Sequence, residues 1–167
     1  YITNSNNTKI QNNTVKNNTQ YDINITTSTG TIIKDSTIHK YWLKQAGLTI
    51  ENTTAGKITF LNQSITQNNT NLMQDIKITN NTITINTTNA PGFNTTANIT
   101  LYTIGFVDPQ IRVDFNDDGI SDPCYPSMCA ELSFSANTFI FNVTHFTTYS
   151  SNESQKCGDT LVQNSLV

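Results

Sequence analysis

Apolar and polar residues alternate along much of the chain, most clearly in Lys57-Ile58-Thr59-Phe60 and Thr82-Ile83-Thr84-Ile85-Asn86. A period of two places every second side chain on the same face of a strand, so the pattern predicts strands with one buried face. β-Branched Ile and Thr suit that geometry. Strands are expected over residues 57–61, 75–79, 82–86, 97–104, 110–114, 131–135, 138–144 and 147–150. Turn signals separate them: Asn80-Asn81, Ala90-Pro91-Gly92, an acidic loop over 116–122, and Ala136-Asn137. Short strands with frequent turns predict an antiparallel, β-sandwich-like domain. Phe134, Phe139, Phe141 and Phe146 are its expected core. Only residues 40–50 approach helical spacing, and Trp42 is expected to plug the junction below.

The first forty residues carry a different pattern. Thr8, Ile10, Thr14 and Val15 recur 23 positions later as Thr31, Ile33, Thr37 and Ile38. A repeat of this length fits one coil of a parallel β-helix, in which aliphatic side chains pile on the next coil and Asn lines the bends. Two coils are too few to stand alone. The expected fold is therefore all-β: terminal coils of a right-handed parallel β-helix over 1–45, a β-sandwich-like module over 46–152, and a linker opening a following module over 153–167. On this reading the chain is an excerpt of a longer protein.

Composition turns the picture outward. About a third of the residues are Asn or Thr, and only 13% are charged, against about 25% in ordinary soluble domains. Arg112 is the single arginine and the net charge is -3, which argues against nucleic-acid binding. No apolar run reaches the roughly 18 residues of a membrane helix. Asn-x-Ser/Thr begins at Asn6, Asn12, Asn17, Asn24, Asn52, Asn62, Asn68, Asn80, Asn86, Asn94, Asn98, Asn142 and Asn152, which are candidate glycosylation sites. An extracellular or cell-surface location is expected.

One segment carries ligand chemistry. Asp114-Phe115-Asn116-Asp117-Asp118-Gly119-Ile120-Ser121-Asp122 fits the spacing D-x-[DN]-x-[DN]-G. Oxygens of Asp114, Asn116 and Asp118, the Ile120 carbonyl and Asp122 could surround calcium. The twelfth position is Tyr125, where a full EF-hand loop has Glu, so the bidentate ligand is missing. Cys124 and Cys129 follow and are expected to form a disulfide in an oxidising compartment. Cys157 is left over. His39 and His145 have no acid or nucleophile pattern beside them, and no hydrolase, phosphate-loop or zinc motif is present, so no catalytic residues are expected.

Three stretches carry a resemblance: Gly92-Phe93-Asn94-Thr95-Thr96-Ala97-Asn98-Ile99-Thr100-Leu101-Tyr102, the C-x4-C pair, and Phe141-Asn142-Val143-Thr144-His145-Phe146-Thr147-Thr148-Tyr149-Ser150. They resemble a small β module of archaeal secreted or surface proteins, where it follows right-handed parallel β-helix repeats of the pectate-lyase-like class. Lys156-Cys157-Gly158-Asp159-Thr160-Leu161 resembles the opening of another such β-helix. The resemblance implies that Cys157 pairs beyond Val167 and that the partners are flanking β-helix modules of the same chain. The expected role is a non-catalytic structural or adhesive module, whose partners could include extracellular glycans or other surface proteins. The alternative is a carbohydrate-binding accessory module of a polysaccharide-binding or -cleaving β-helix protein. Exposed Tyr21, Tyr41, Trp42 or Tyr149 would favour that alternative.

Overall fold

The computed structural model describes residues 1–61 and 63–154. Asn62, Cys157 and the stretch compared with a following β-helix lie outside the described residues.

The N-terminal part is layered. Its strands are β1 (Ile2–Thr3), β2 (Lys9–Gln11), β3 (Thr14–Val15), β4 (Ile23–Thr29), β5 (Ile32–Lys34), β6 (Thr37–Ile38), β7 (Tyr41–Ala46) and β8 (Thr49–Asn52). Strands β1, β2 and β3 pair in parallel with β4, β5 and β6, each at an offset of 23 residues: Ile2 with Ile25, Ile10 with Ile33, Val15 with Ile38. The sequence repeat is thus a stacking repeat. Strands β4 and β5 pair in parallel with β7 and β8 in turn, but the offset falls to 18 at Ile23–Tyr41 and 17 at Ile33–Ile50. The shortening has a local cause. Residues 16–22 connect β3 to β4, whereas only residues 39 and 40 connect β6 to β7, and a bulge at Thr27 takes up one more.

The bends between these strands repeat as well. Positive φ occurs at Asn4, Asn7 and Asn12, and 23 positions later at Thr27, Gly30 and Asp35. Asn tolerates this left-handed region because its short polar side chain bonds locally. A Cβ at Gly30 would lie 2.6 Å from Asn7 Oδ1, so a side chain there would have to displace that amide. Side chains tie the layers at the same offset. Thr27 Oγ1 donates to Asn4 Oδ1 (2.5 Å), Thr29 Oγ1 to Asn6 Oδ1 (2.7 Å), and the Asn13 amide to Ser36 Oγ (3.2 Å). Burial rises along the stack: Ile2, Ile10 and Val15 are half-buried, while Ile25, Ile33 and Ile38 are fully buried.

Parallel order ends at the third layer. Strand β9 (Gly56–Thr59) runs antiparallel to β8, and β10 (Ser64–Asn69) antiparallel to β7. The short helix α1 (Leu72–Asp75) follows, with the Asn71 side chain accepting from the Met73 amide at its N-terminus. The Leu72 amide donates to His39 O (3.1 Å), which docks α1 beside β6.

The rest of the chain supplies β11 (Ile76–Thr79), β12 (Thr82–Ile85), β13 (Ala97–Leu101), β14 (Pro109–Asp114), β15 (Asp122–Pro123), β16 (Cys129–Ser135), β17 (Thr138–Val143) and β18 (Thr148–Glu153). Three larger sheets result, none closed: β1-β4-β7-β10, β11-β12-β18-β14-β15, and β16-β17-β13-β9-β8-β5-β2. The last contains parallel pairs at one end and antiparallel pairs at the other. Residues on either side of position 45 therefore share sheets. One hydrophobic cluster runs from Ile23 to Tyr149, so the layers and the antiparallel strands share a core. Aromatic rings fill its centre: Phe60 stacks on Phe93, and Phe141 and Phe146 both meet Tyr149.

Most expected strands form within a few residues of their predicted bounds. Three expectations change. Residues 40–50 are strands β7 and β8, because Tyr41, Leu43 and Gln45 point inward with a period of two. Trp42 is not a plug; it faces outward between the buried Tyr41 and Leu43. Phe134 is only half-buried, packing edge-on against buried Phe139 from the edge strand β16.

Candidate functional site

The acidic loop joins β14 to β15. Asp114 ends β14 and is buried, its carboxylate turned into its own loop. Oδ1 accepts from the Asn116 and Asp118 amides (3.2 and 3.3 Å) and Oδ2 from the Gly119 amide (2.8 Å). Gly119, at φ +85°, makes the bend. Asp118 Oδ1 accepts from the Ile120 amide (2.9 Å). Asp117 turns the other way, to accept from the Thr148 hydroxyl (2.8 Å). The Thr147 hydroxyl donates to the Asp114 carbonyl (2.6 Å), fastening the loop to the start of β18. Asn116, Asp118 and Ile120 are exposed, and Asp122 stands exposed on β15 opposite Val113. Among the described residues no three His, Cys, Asp or Glu side chains converge into a metal-holding group. The loop thus closes on its own carboxylate–amide bonds, with Asp114 as the one central carboxylate.

Arg112 reaches from β14 to the Ser121 carbonyl and ties down the far side of the loop. Cys124 and Cys129 stand at disulfide distance, with Cα atoms 6.1 Å apart. The Met128 and Cys129 amides both donate to Tyr125 O, so the four residues between the cysteines form a tight turn. Phe115 and Tyr125 stack across the base of these two loops.

The sequons divide by what their side chains already do. Asn6, Asn12, Asn17, Asn68, Asn80, Asn94 and Asn152 are exposed; Asn24, Asn52, Asn86, Asn98 and Asn142 are half-buried. Asn52 donates its side-chain amide to Ile78 O (3.0 Å), and Asn142 donates to Ala97 O and Asn98 Oδ1. Those two nitrogens serve the fold.

Among the described hydrogen bonds neither imidazole bonds a carboxylate. His145 Nδ1 bonds the neighbouring Thr144 hydroxyl, and its carbonyl accepts from the Tyr149 hydroxyl. Of the four aromatic residues singled out, Tyr41 and Tyr149 are core, and burial pushes the Tyr149 hydroxyl up to about 12. Tyr21 is exposed and Trp42 half-buried, with ring centroids 6.0 Å apart.

Sequence reasoning missed two polar groups. In the core, the Tyr41 hydroxyl donates to Asp75 Oδ2 and Asn69 donates to Asp75 Oδ1. Nearer the surface, Glu51 accepts from Tyr102 (3.1 Å) and pairs with Lys34 (3.4 Å). Burial first, and Glu51 second, push the Tyr102 hydroxyl up to about 12. A period-two pattern does signal that Tyr41 is inward, but nothing local names its partner 34 residues away.

These features define an all-β protein with parallel layers at one end, an aromatic-cored antiparallel region, a self-closed acidic loop and a cysteine pair. No helix among the described residues is long and apolar enough to cross a membrane. No protein-family model, characterised protein or solved structure matches the chain.

Proposed function

We propose that this chain is a non-catalytic scaffold module of a secreted or cell-surface protein, in which residues 1–45 are terminal coils of a parallel β-helix and the following strands cap it. One observation carries the reading: hydrogen-bond register, left-handed bends and side-chain ladder all repeat at the same 23-residue offset. A solenoid is the architecture that produces that coincidence. At one end of the stack β9, β10 and α1 cover the edges of the layers. At the other, among the described residues, β1, β2 and β3 leave a strand edge and a half-buried aliphatic row. Bare strand edges invite further pairing, and a preceding coil of the same chain would satisfy them. The resemblance to modules between β-helices of archaeal surface proteins agrees with this role.

The acidic loop and cysteine pair would stiffen the free end of the module. Calcium would add to this through Asp114, Asn116, Asp118, the Ile120 carbonyl and Asp122. Calorimetric titration of wild type and Asp118→Ala tests it: saturable heat in the first and none in the second supports the ion, and identical flat traces remove it. Glycans belong at exposed sequons such as Asn6, Asn12, Asn17, Asn80 and Asn152 rather than at Asn52 or Asn142. The scaffold reading is tested by limited proteolysis of the chain with and without its upstream coils. Residues 1–45 should be cut more slowly when the coils are present; equal cleavage contradicts the proposal.

A further inference from the structure

The outer face of the β1-β4-β7-β10 sheet is polar with one aromatic end. Asn24, Trp42 and Asn68 form one cross-strand row, and Thr26, Lys44 and Thr66 the next. Beside the first row an open groove is lined by Gln20, Tyr21, Lys40, Asn68, Asn69 and Thr70. Tyr21 forms its wall and meets Trp42 at a tilt of 55°. Among the described residues the side-chain amides of Gln20 and Asn68 have no hydrogen-bond partner. Lys40 Nζ is held by Asn18 O (3.0 Å), and Asn69 is spent on Asp75 and on Asn89 O.

The geometry points to a saccharide-binding groove: we propose that an external neutral polysaccharide chain lies along it, with a sugar ring against Tyr21 and Trp42. Three features select this occupant. The aromatic faces offer an apolar surface to the C–H side of a pyranose, while Gln20 and Asn68 can each give and accept a hydrogen bond with vicinal hydroxyls. Among the described residues no carboxylate lines the groove, and its one ammonium already has a partner, so the described lining does not select a charged ligand. A peptide segment adding to the sheet would need the edge of β10, whereas this groove opens beside the outer face. Of the other exposed aromatic rings among the described residues, Tyr125 stacks on Phe115 beside the acidic loop, and Tyr1 lies outside the groove's lining.

Trp42 is the chain's only tryptophan and meets Tyr21 of the groove wall, so its fluorescence reports on that wall. The test titrates unglycosylated protein with cellohexaose, laminarihexaose, chitohexaose, mannohexaose and polygalacturonate, following Trp42 emission and calorimetric heat. The expected result is saturable binding of at least one neutral hexasaccharide with a shift in emission. Tyr21→Ala, at an exposed position, should weaken it roughly tenfold. Tyr125→Ala should leave it unchanged. No binding of any neutral probe at millimolar concentration overturns the proposal. So does binding confined to polygalacturonate, or binding that survives Tyr21→Ala. None of these outcomes bears on the solenoid, whose test reads proteolysis at 1–45.

Discussion

The Tyr41 hydroxyl donates to Asp75 Oδ2 at 2.6 Å with both side chains buried, and so joins the last parallel layer to the helix beside it. Asn69 on β10 gives the same carboxyl its second bond. Burial acts most strongly on Asp75 and raises its pKa above 3.8; the bonds from Tyr41 and Asn69 oppose that without cancelling it. Burial also raises Tyr41 well above the ordinary tyrosine value, helped by the carboxyl it bonds.

The sign of the pH effect follows. The native state holds the Asp75 proton more tightly than the unfolded chain. The resulting stabilisation is full below the unfolded value of 3.8 and is lost as pH rises through the raised native pKa. Asp75→Asn cannot lose a proton, so urea midpoints should move in its favour relative to wild type as pH climbs above about 4. Parallel pH profiles would contradict this. Asp75→Ala, which removes the acceptor of the Tyr41 hydroxyl proton, should cost about 1–3 kcal/mol.

Stacking predicts a gradient of sensitivity. Ile33 is buried between Ile10 and Ile50, whereas Ile10 has a strand partner on one side only among the described residues. Ile33→Ala should lose about 2–5 kcal/mol, in the range of large-to-small core substitutions. Ile10→Ala should lose clearly less, because part of its surface is already wet. Chemical denaturation of both variants gives the comparison; equal losses would mean that the first layer is as enclosed as the second.

Gln45 points inward from β7, is 4% exposed, and neither of its amide atoms has a partner among the described residues. An unpaired buried amide costs about 1–3 kcal/mol. Gln45→Met keeps the length of the side chain and removes the polar atoms. It should raise the thermal midpoint; a drop would show that the amide does structural work in the folded protein.

How much of this was legible depends on how far each signal spreads along the chain. The 23-residue repeat could be read because equal layers place like residues in like positions: Ile10 over Ile33, Val15 over Ile38. The third layer could not, because its shorter connection and the Thr27 bulge shift Tyr41 and Ile50 out of that period. Strand β10 was missed for another reason. Its inward positions are Ile65 and the amide Gln67, so the alternation shows one apolar residue where two were needed. Gln67 is held there by bonds to Asn68 O and the Gly92 amide, partners that sequence does not announce. The acidic loop was legible as a loop. That Asp114 would spend its oxygens on three backbone amides was not, since the same spacing serves a turn and an ion site alike.

Hydrogen exchange on a chain with residues 1–23 duplicated ahead of Tyr1 tests the central claim most directly. The copy has the length of one layer offset, so a stacking solenoid should accept it as a further coil. The account predicts that the amides of the original β1, β2 and β3 become as protected as those of β4, β5 and β6, with fraying moved to the new copy. Unchanged protection in the original strands, with the copy exchanging as unfolded chain, would contradict it.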